Sequence, residues 1–137
     1  MNAHTKDIGD QILSESNLVS GFGGKDDWAL YIGTLPHLPN RVVCLIDSPG
    51  MVDQFLDVDH TFRREGLQVK IRGEGYEETV GKVLEIEDFL ISKLSFVTGG
   101  VHYLGIVAYG SPLYLGQDER GRHGFSSNFV VMRQQEV

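Results

Sequence analysis

Between Glu65 and Leu94 the hydrophobic period changes once, at a pair of glycines. In Gly66-Leu67-Gln68-Val69-Lys70-Ile71-Arg72 the apolar residues fall on every second position, which places Leu67, Val69 and Ile71 on one side of a half-buried strand. Past Gly73 and Gly75, the residues Tyr76, Val80, Val83, Leu84, Leu90, Ile91 and Leu94 recur at steps near three and four, the stripe of an amphipathic helix. Glu87 interrupts that stripe. A buried carboxylate would need a charged partner, so the helix is expected to rotate until Glu87 reaches the rim. Laying the helix across the strand's apolar side buries both.

The remaining chain reads in order. Thr5 or Asp7 is placed to cap a first helix whose apolar residues Ile8, Ile12, Leu13 and Val19 share a face, with Gly21-Phe22-Gly23-Gly24-Lys25 ending it. Trp28 to Ile32 and Arg41 to Asp47 read as strands, separated by the loop Leu35-Pro36-His37-Leu38-Pro39-Asn40. Ser48-Pro49-Gly50 reads as a turn, and Met51 to Arg64 as a polar, irregular excursion into the alternating strand. After the main helix come a strand at Tyr103 to Tyr109, its bent continuation at Ser111 to Gly116, and a last strand from Gly124 to Arg133. That last strand carries apolar residues on both faces, which suits an interior position or one facing another subunit. The predicted class is therefore α+β, a single domain over residues 1–137: a mostly antiparallel sheet with a long helix on one face and an N-terminal helix.

Composition narrows the function. At 137 residues the chain is long enough to bury one real core and short for two. Nineteen acidic against twelve basic residues give a net charge of −7, which on average repels a phosphate backbone and argues against a specific DNA binder. A conduit for DNA is compatible, because a surface along which a polyanion slides should not neutralise phosphates strongly. The single cysteine, Cys44, lies in the apolar run Val42 to Ile46 and reads as a buried structural thiol. No run approaches the roughly 18 apolar residues that span a bilayer, and Met1 to Asp7 lacks the apolar core of a signal peptide. The expectation is a protein made and kept in a cytoplasm unless packaged into something larger, with no membrane partner.

Several stretches imitate catalytic motifs. Val43 to Gly50 looks like a nucleotide-binding strand ending in Asp-x-x-Gly, yet the phosphate loop it needs is missing: Gly24-Lys25 is followed by Asp26, which would repel phosphate. Gly21, Gly23 and Gly24 follow a helix, the wrong order for a dinucleotide fingerprint. The five histidines are scattered, and Asp53, Asp57 and Asp59 with His60 lack the glycine and terminal glutamate of a calcium loop. Ser111, Ser126 and Ser127 have no nucleophile-elbow context. Glu77 and Glu78 open the main helix, where they complement its dipole. No cofactor, metal or catalytic residue is predicted.

The segment from Tyr114 to Phe129 couples a loop of mixed charge to the two-faced last strand. Such a pair suits a contact between copies, in which opposite charges set register, against the plain alternative of a monomer's solvated turn. Together with Leu35-Pro36 and Pro39, the strand ending in Asp47 and Gly50, Phe62-Arg63-Arg64 leading to Gln68 through Arg72 and Tyr76, and the closing Gly116-x-Asp118-x-x-Gly121-Arg122 with Phe125, Asn128 and Phe129, it resembles the small minor capsid proteins of tailed bacteriophages, specifically tail terminator or tail completion proteins. The resemblance covers most of the chain. It implies a structural virion protein and not an enzyme: a ring, usually hexameric, at the head-proximal end of the tail, which ends growth of the tail tube and joins it to the head connector. The implied partners are further copies of the chain, the tail tube protein and the neck proteins, with DNA passing through the lumen unbound. The implied place is the tail or neck of the virion, after assembly in the host cytoplasm.

Subunit contacts are then expected at Arg63, Arg72, Asp118, Arg120 and Arg122, and the lumen of a DNA-conducting ring is expected to be acidic. The alternatives are another neck or head-closure component, and, in a different class, a small-molecule or nucleotide binder using the Asp47 to Gly50 turn beside Asp57 and Asp59. An inhibitor of a host factor suits the size and acidity but has no residue to support it.

Overall fold

The alternating stretch at Leu67, Val69 and Ile71 forms the middle of one sheet. The structure, a computed structural model, describes residues 3–23, 28–54, 61–93 and 95–135. Its elements are α1 (His4–Glu15), β1 (Ala29–Ile32), β2 (Val42–Gln54), β3 (Thr61–Gly73), α2 (Tyr76–Ser92), β4 (Phe96–Thr98), β5 (Val101–Ala108), β6 (Leu113–Gln117) and β7 (His123–Gln135). The strand order is β1-β2-β3-β7-β5-β4, with β6 also paired to β7. Among the strands of the described residues β1 and β2 run parallel and the other pairings are antiparallel, as the α+β reading expects.

One face of the sheet is dry. Leu67, Val69 and Ile71 pair across with Phe129, Ser127 and Phe125, and Ile8 and Ile12 of α1 and Val83, Ile86 and Leu90 of α2 close over them. Each such aliphatic side chain, fully buried, contributes about 1.5–3 kcal/mol, so both helices are held by the same apolar layer. At the far end of this layer the buried charges are paired. Tyr103 donates to Asp7, Arg133 Nη1 donates to the Tyr103 hydroxyl at 3.2 Å, and Arg133 Nη2 donates to Glu65 Oε1 at 3.0 Å. Burial, and then the carboxylate of Asp7, push the Tyr103 phenol well above its ordinary value.

The structure corrects the sequence reading in several places, and α1 ends at Glu15, so Val19 and the glycines that were to end the helix lie beyond it. Ala3 stands at the N-cap of α1 with no side-chain cap bond, while Thr5 and Asp7 are buried inside the helix. Helix α2 is turned further than expected: Thr79, Val83, Ile86 and Leu90 face the core, whereas Tyr76, Leu84 and Ile91 are exposed. This stripe contains no carboxylate, and the Thr79 hydroxyl is satisfied by donating to the Gly75 carbonyl; Glu87 lies half-buried at its rim, and Leu94 lies outside the described residues. Ser48-Pro49-Gly50 is no turn. β2 runs through it to Gln54, with an irregularity between Ser48 and Met51, and β3 already begins at Thr61, so much of the expected excursion is strand. Gly66 makes room for that irregularity, since a Cβ there would lie 2.4 Å from the Pro49 carbonyl oxygen. Finally, Leu113–Gln117 is a strand of its own paired with β7, and a short strand, β4, precedes β5.

Strand β7 is interior, as its two apolar faces suggested: β3 flanks it on one side and β5 and β6 on the other. Cys44 is fully buried, and burial raises its thiol above the ordinary value.

Candidate functional site

Three strand ends and the start of α2 meet at one end of the sheet. β2 begins there at Val42 and β3 ends there at Gly73. β7 begins there at His123, and Gly75 opens α2. The loop 33–41, rich in proline and poor in backbone donors, folds back over this end with a cis bond between Leu38 and Pro39. Its outward carbonyls need partners.

Two arginines from the strand ends supply them. Arg72 Nη2 donates to the Pro39 carbonyl at 2.6 Å and to the His37 carbonyl at 3.3 Å, and its Nε donates to the Asn40 carbonyl at 3.3 Å. Arg122 Nη1 donates to the same His37 carbonyl at 2.5 Å and to Asn40 Oδ1 at 3.3 Å. Both side chains are buried. Burial, reinforced by the neighbouring Arg122 charge, lowers the Arg72 guanidinium below its ordinary value.

Asp118 fixes the turn that carries Arg122. Its Oδ1 accepts from the backbone amides of Arg120 and Arg122, each at 2.9 Å, and its Oδ2 accepts from Arg122 Nε at 2.7 Å. The Asp118 amide donates to the Arg122 carbonyl at 3.0 Å. Desolvation pushes this carboxyl up, but the bonds from the Arg122 amide, the Arg122 side chain and the Arg120 amide outweigh it and hold the carboxyl below its ordinary value. At the head of α2, Glu78 Oε1 accepts from the Gly75 and Glu74 amides, and Arg41 grips both oxygens at 2.9 and 3.1 Å. The Arg41 hydrogen bond is the main reason the Glu78 carboxyl also sits below its ordinary value.

The structure therefore brings Arg72, Asp118, Arg120 and Arg122 together and leaves Arg63 apart. Arg63 lies nine residues up β3 from Arg72, about 30 Å away at strand rise, where its Nη1 is 3.7 Å from Glu65. Of the four that meet, Arg120 is the cation that stays exposed. Beside the turn, Tyr114 packs edge-on against Tyr76 and tilted against Phe125, and its hydroxyl is 2.8 Å from His123 Nδ1. A small open cleft between Leu35, Arg72, Leu115 and Phe125 holds no pair of reactive groups set for acid–base or nucleophilic work.

Residues 5–134 match the protein family described as bacteriophage tail terminator protein. The chain belongs to this family. The match runs from the first turn of α1 almost to the end of β7, so it takes in both helices and the whole sheet. Tail terminator membership makes the protein a structural component of a phage tail and places it in the virion tail, the coarse role that the sequence resemblance implies. A comparison with curated proteins returns no match.

The nucleotide-like stretch Asp47 to Gly50 is part of β2 and carries no loop that could wrap a phosphate; Asp57, Asp59 and His60 lie outside the described residues. Among the described residues no three His, Cys, Asp or Glu side chains gather as a metal site, and no helix is long and apolar enough to cross a membrane. Sequence reasoning missed the inward role of Arg72 and Arg122. A readable signal existed: two prolines in six residues remove backbone donors from a loop whose carbonyls must still be bonded.

Proposed function

We propose that copies of this tail terminator close into a ring at the head-proximal end of the tail, stop growth of the tail tube and present a surface to the head connector. The observation that carries this reading is the family match over nearly the whole chain. The arginine-held end of the sheet supports it, because a fixed, charged loop is what a repeated protein contact needs. In this reading Arg72, Asp118 and Arg122 set the shape of the contact surface and Arg120 presents charge to a neighbour. Arg63, at the other end of β3, belongs to a separate contact. The net charge of −7 supports an acidic lumen through which DNA slides without being held.

Negative-stain microscopy and sedimentation of the purified chain test the ring, and tube lengths in phage lacking the protein test termination. Closed rings, and tubes that overrun their normal length, are the expected results. A chain that stays monomeric at every concentration, together with tails of normal length in its absence, would overturn the proposal.

A further inference from the structure

Lys6, Arg41, Lys82 and Arg133 each pair with a carboxylate, whereas Lys70 and Arg72 do not. These two lie two residues apart, about 7 Å, on the side of β3 opposite to Leu67, Val69 and Ile71. Across from Lys70 stand Cys44 and Ser126, and across from Arg72 stand Val42 and Gly124, none of them acidic. Lys70 is half-buried and makes no hydrogen bond or ion pair among the described residues. Arg72 is bonded to carbonyls alone, which satisfy three of its donors and neutralise none of its charge. Its Nη1, like Nη2 of Arg122, has no acceptor among the described residues. Neither nitrogen is sealed from solvent, as the unpaired Arg63 Nε is. Lys70, Arg72 and Arg122 all line the open cleft of about 190 Å³ between Leu35 and Leu115, which are 39% and 52% exposed. Asp118 is the one carboxylate among the lining residues, and two amides and Arg122 Nε already occupy it. The crowding registers at Arg72: burial lowers its guanidinium first, and the Arg122 charge lowers it by more than Asp118 raises it.

We propose that this cleft is a carboxylate-binding site, in which one carboxylate lies among Lys70, Arg72 and Arg122 with its short aliphatic stem between Leu35 and Leu115. Three cations against one occupied carboxylate, in a chain of net charge −7, supply the attraction. Free guanidinium nitrogens supply the planar donors that a carboxylate matches. Size sets the class of ligand: pockets for drug-sized molecules hold about 300–1,000 Å³, so this cleft takes a group no larger than one side chain. The leucine walls favour a carboxylate on an apolar stem over a bare inorganic anion. The rim disfavours a polyanion, because Glu74 and Glu119 flank Arg120 there and would repel a strand of phosphates along its length. The site does not depend on the ring reading. Its natural occupant is either a free carboxylate or a glutamate or aspartate side chain of another copy, and the chemistry is the same for both.

Titration of the full chain with butyrate, acetate and inorganic phosphate at constant ionic strength tests the site, read from the NMR signals of the Gly116 and Gly124 amides and the Arg72 and Arg122 Nε–H groups. Butyrate should shift all four saturably and bind about fivefold more tightly than acetate, because its two further methylenes meet the leucine walls. Lys70→Gln removes no bond of the fold, so it should keep the parent's melting temperature and weaken butyrate binding at least tenfold. Lys70→Glu places a carboxylate in the cleft from within; it should abolish butyrate binding and melt higher than Lys70→Gln. Sedimentation then separates the two sources. If excess butyrate and Lys70→Glu both disperse assemblies of the chain, the natural carboxylate belongs to another copy; if butyrate binds and assemblies persist, it is a free carboxylate. A chain that binds butyrate yet never assembles upholds the site and removes the ring reading. The proposal is overturned if no saturable shift appears, if phosphate and acetate bind as tightly as butyrate, if Lys70→Gln binds butyrate like the parent, or if Lys70→Glu melts no higher than Lys70→Gln.

Discussion

Replacing Arg122 tests whether the prolyl loop is held by guanidinium groups. Arg122→Ala removes the donors to the His37 carbonyl and Asn40 Oδ1 and the side-chain partner of Asp118. A hydrogen bond involving a charged group contributes about 1.5–3 kcal/mol, and breaking a fully buried ion pair costs about 3–5 kcal/mol. The full buried figure does not apply, because the Asp118 side chain is 37% exposed and water can replace one of its partners. His37 also keeps the longer bond from Arg72. The expected loss is about 2–4 kcal/mol, roughly a 10 °C fall in melting temperature for a chain of this size. Arg122→Lys keeps the charge but not the fork, so it should recover less than half of the loss. Urea unfolding measures the free energy, and limited proteolysis at residues 35–40 reports on the loop. If Arg122→Ala melts within 1 °C of the parent, or if lysine restores it fully, the loop is held by something else. Charge reversal at Arg122 would disturb the same bonds, which is why Arg120 is the cleaner probe of contacts between copies.

Two further outcomes follow from the same geometry. Gly66→Ala places a Cβ against the Pro49 carbonyl, which a rotated Ser48 side chain does not relieve, so urea unfolding should show a loss of about 2–4 kcal/mol that Ser48→Gly does not rescue; an unchanged midpoint would show that the β2 irregularity is soft. The Asp118 and Glu78 carboxyls are lower in the folded chain than in the unfolded one, so their stabilisation is complete above the ordinary carboxylate values and is lost as pH falls through the depressed folded ones. Urea midpoints should be flat from neutrality to about pH 5 and drop below about pH 4, with a shallower drop in Asp118→Asn; an identical drop in that variant would remove Asp118 from the account.

Local periodicity served where one face of an element meets the core. The alternation of Leu67, Val69 and Ile71 and the two-sided pattern of β7 correspond to their observed places. It failed where a distant partner decides. Ser48-Pro49-Gly50 has the composition of a turn, but pairing with β3 across Gly66 carries the strand straight through it. Helix α2 carries apolar residues on two faces, and the sequence offers no way to choose between the one with Ile86 and the one with Leu84 until the sheet beneath is present. The burial of Arg72 and Arg122 was not legible, because Arg122 meets His37 across a separation of 85 residues. The family, by contrast, was readable from short motifs whose order mattered more than any one of them.

The last described strand lies between β3 on one flank and β5 and β6 on the other. The sheet therefore cannot be completed while residues 123–135 are still inside the ribosome, and a nascent chain cut short before His123 leaves an open slot down its centre. Such fragments would lack the seam that supports β6. Completion of the sheet therefore waits for the element furthest along the described chain, so strands made early stay unpaired at their centre until β7 is available.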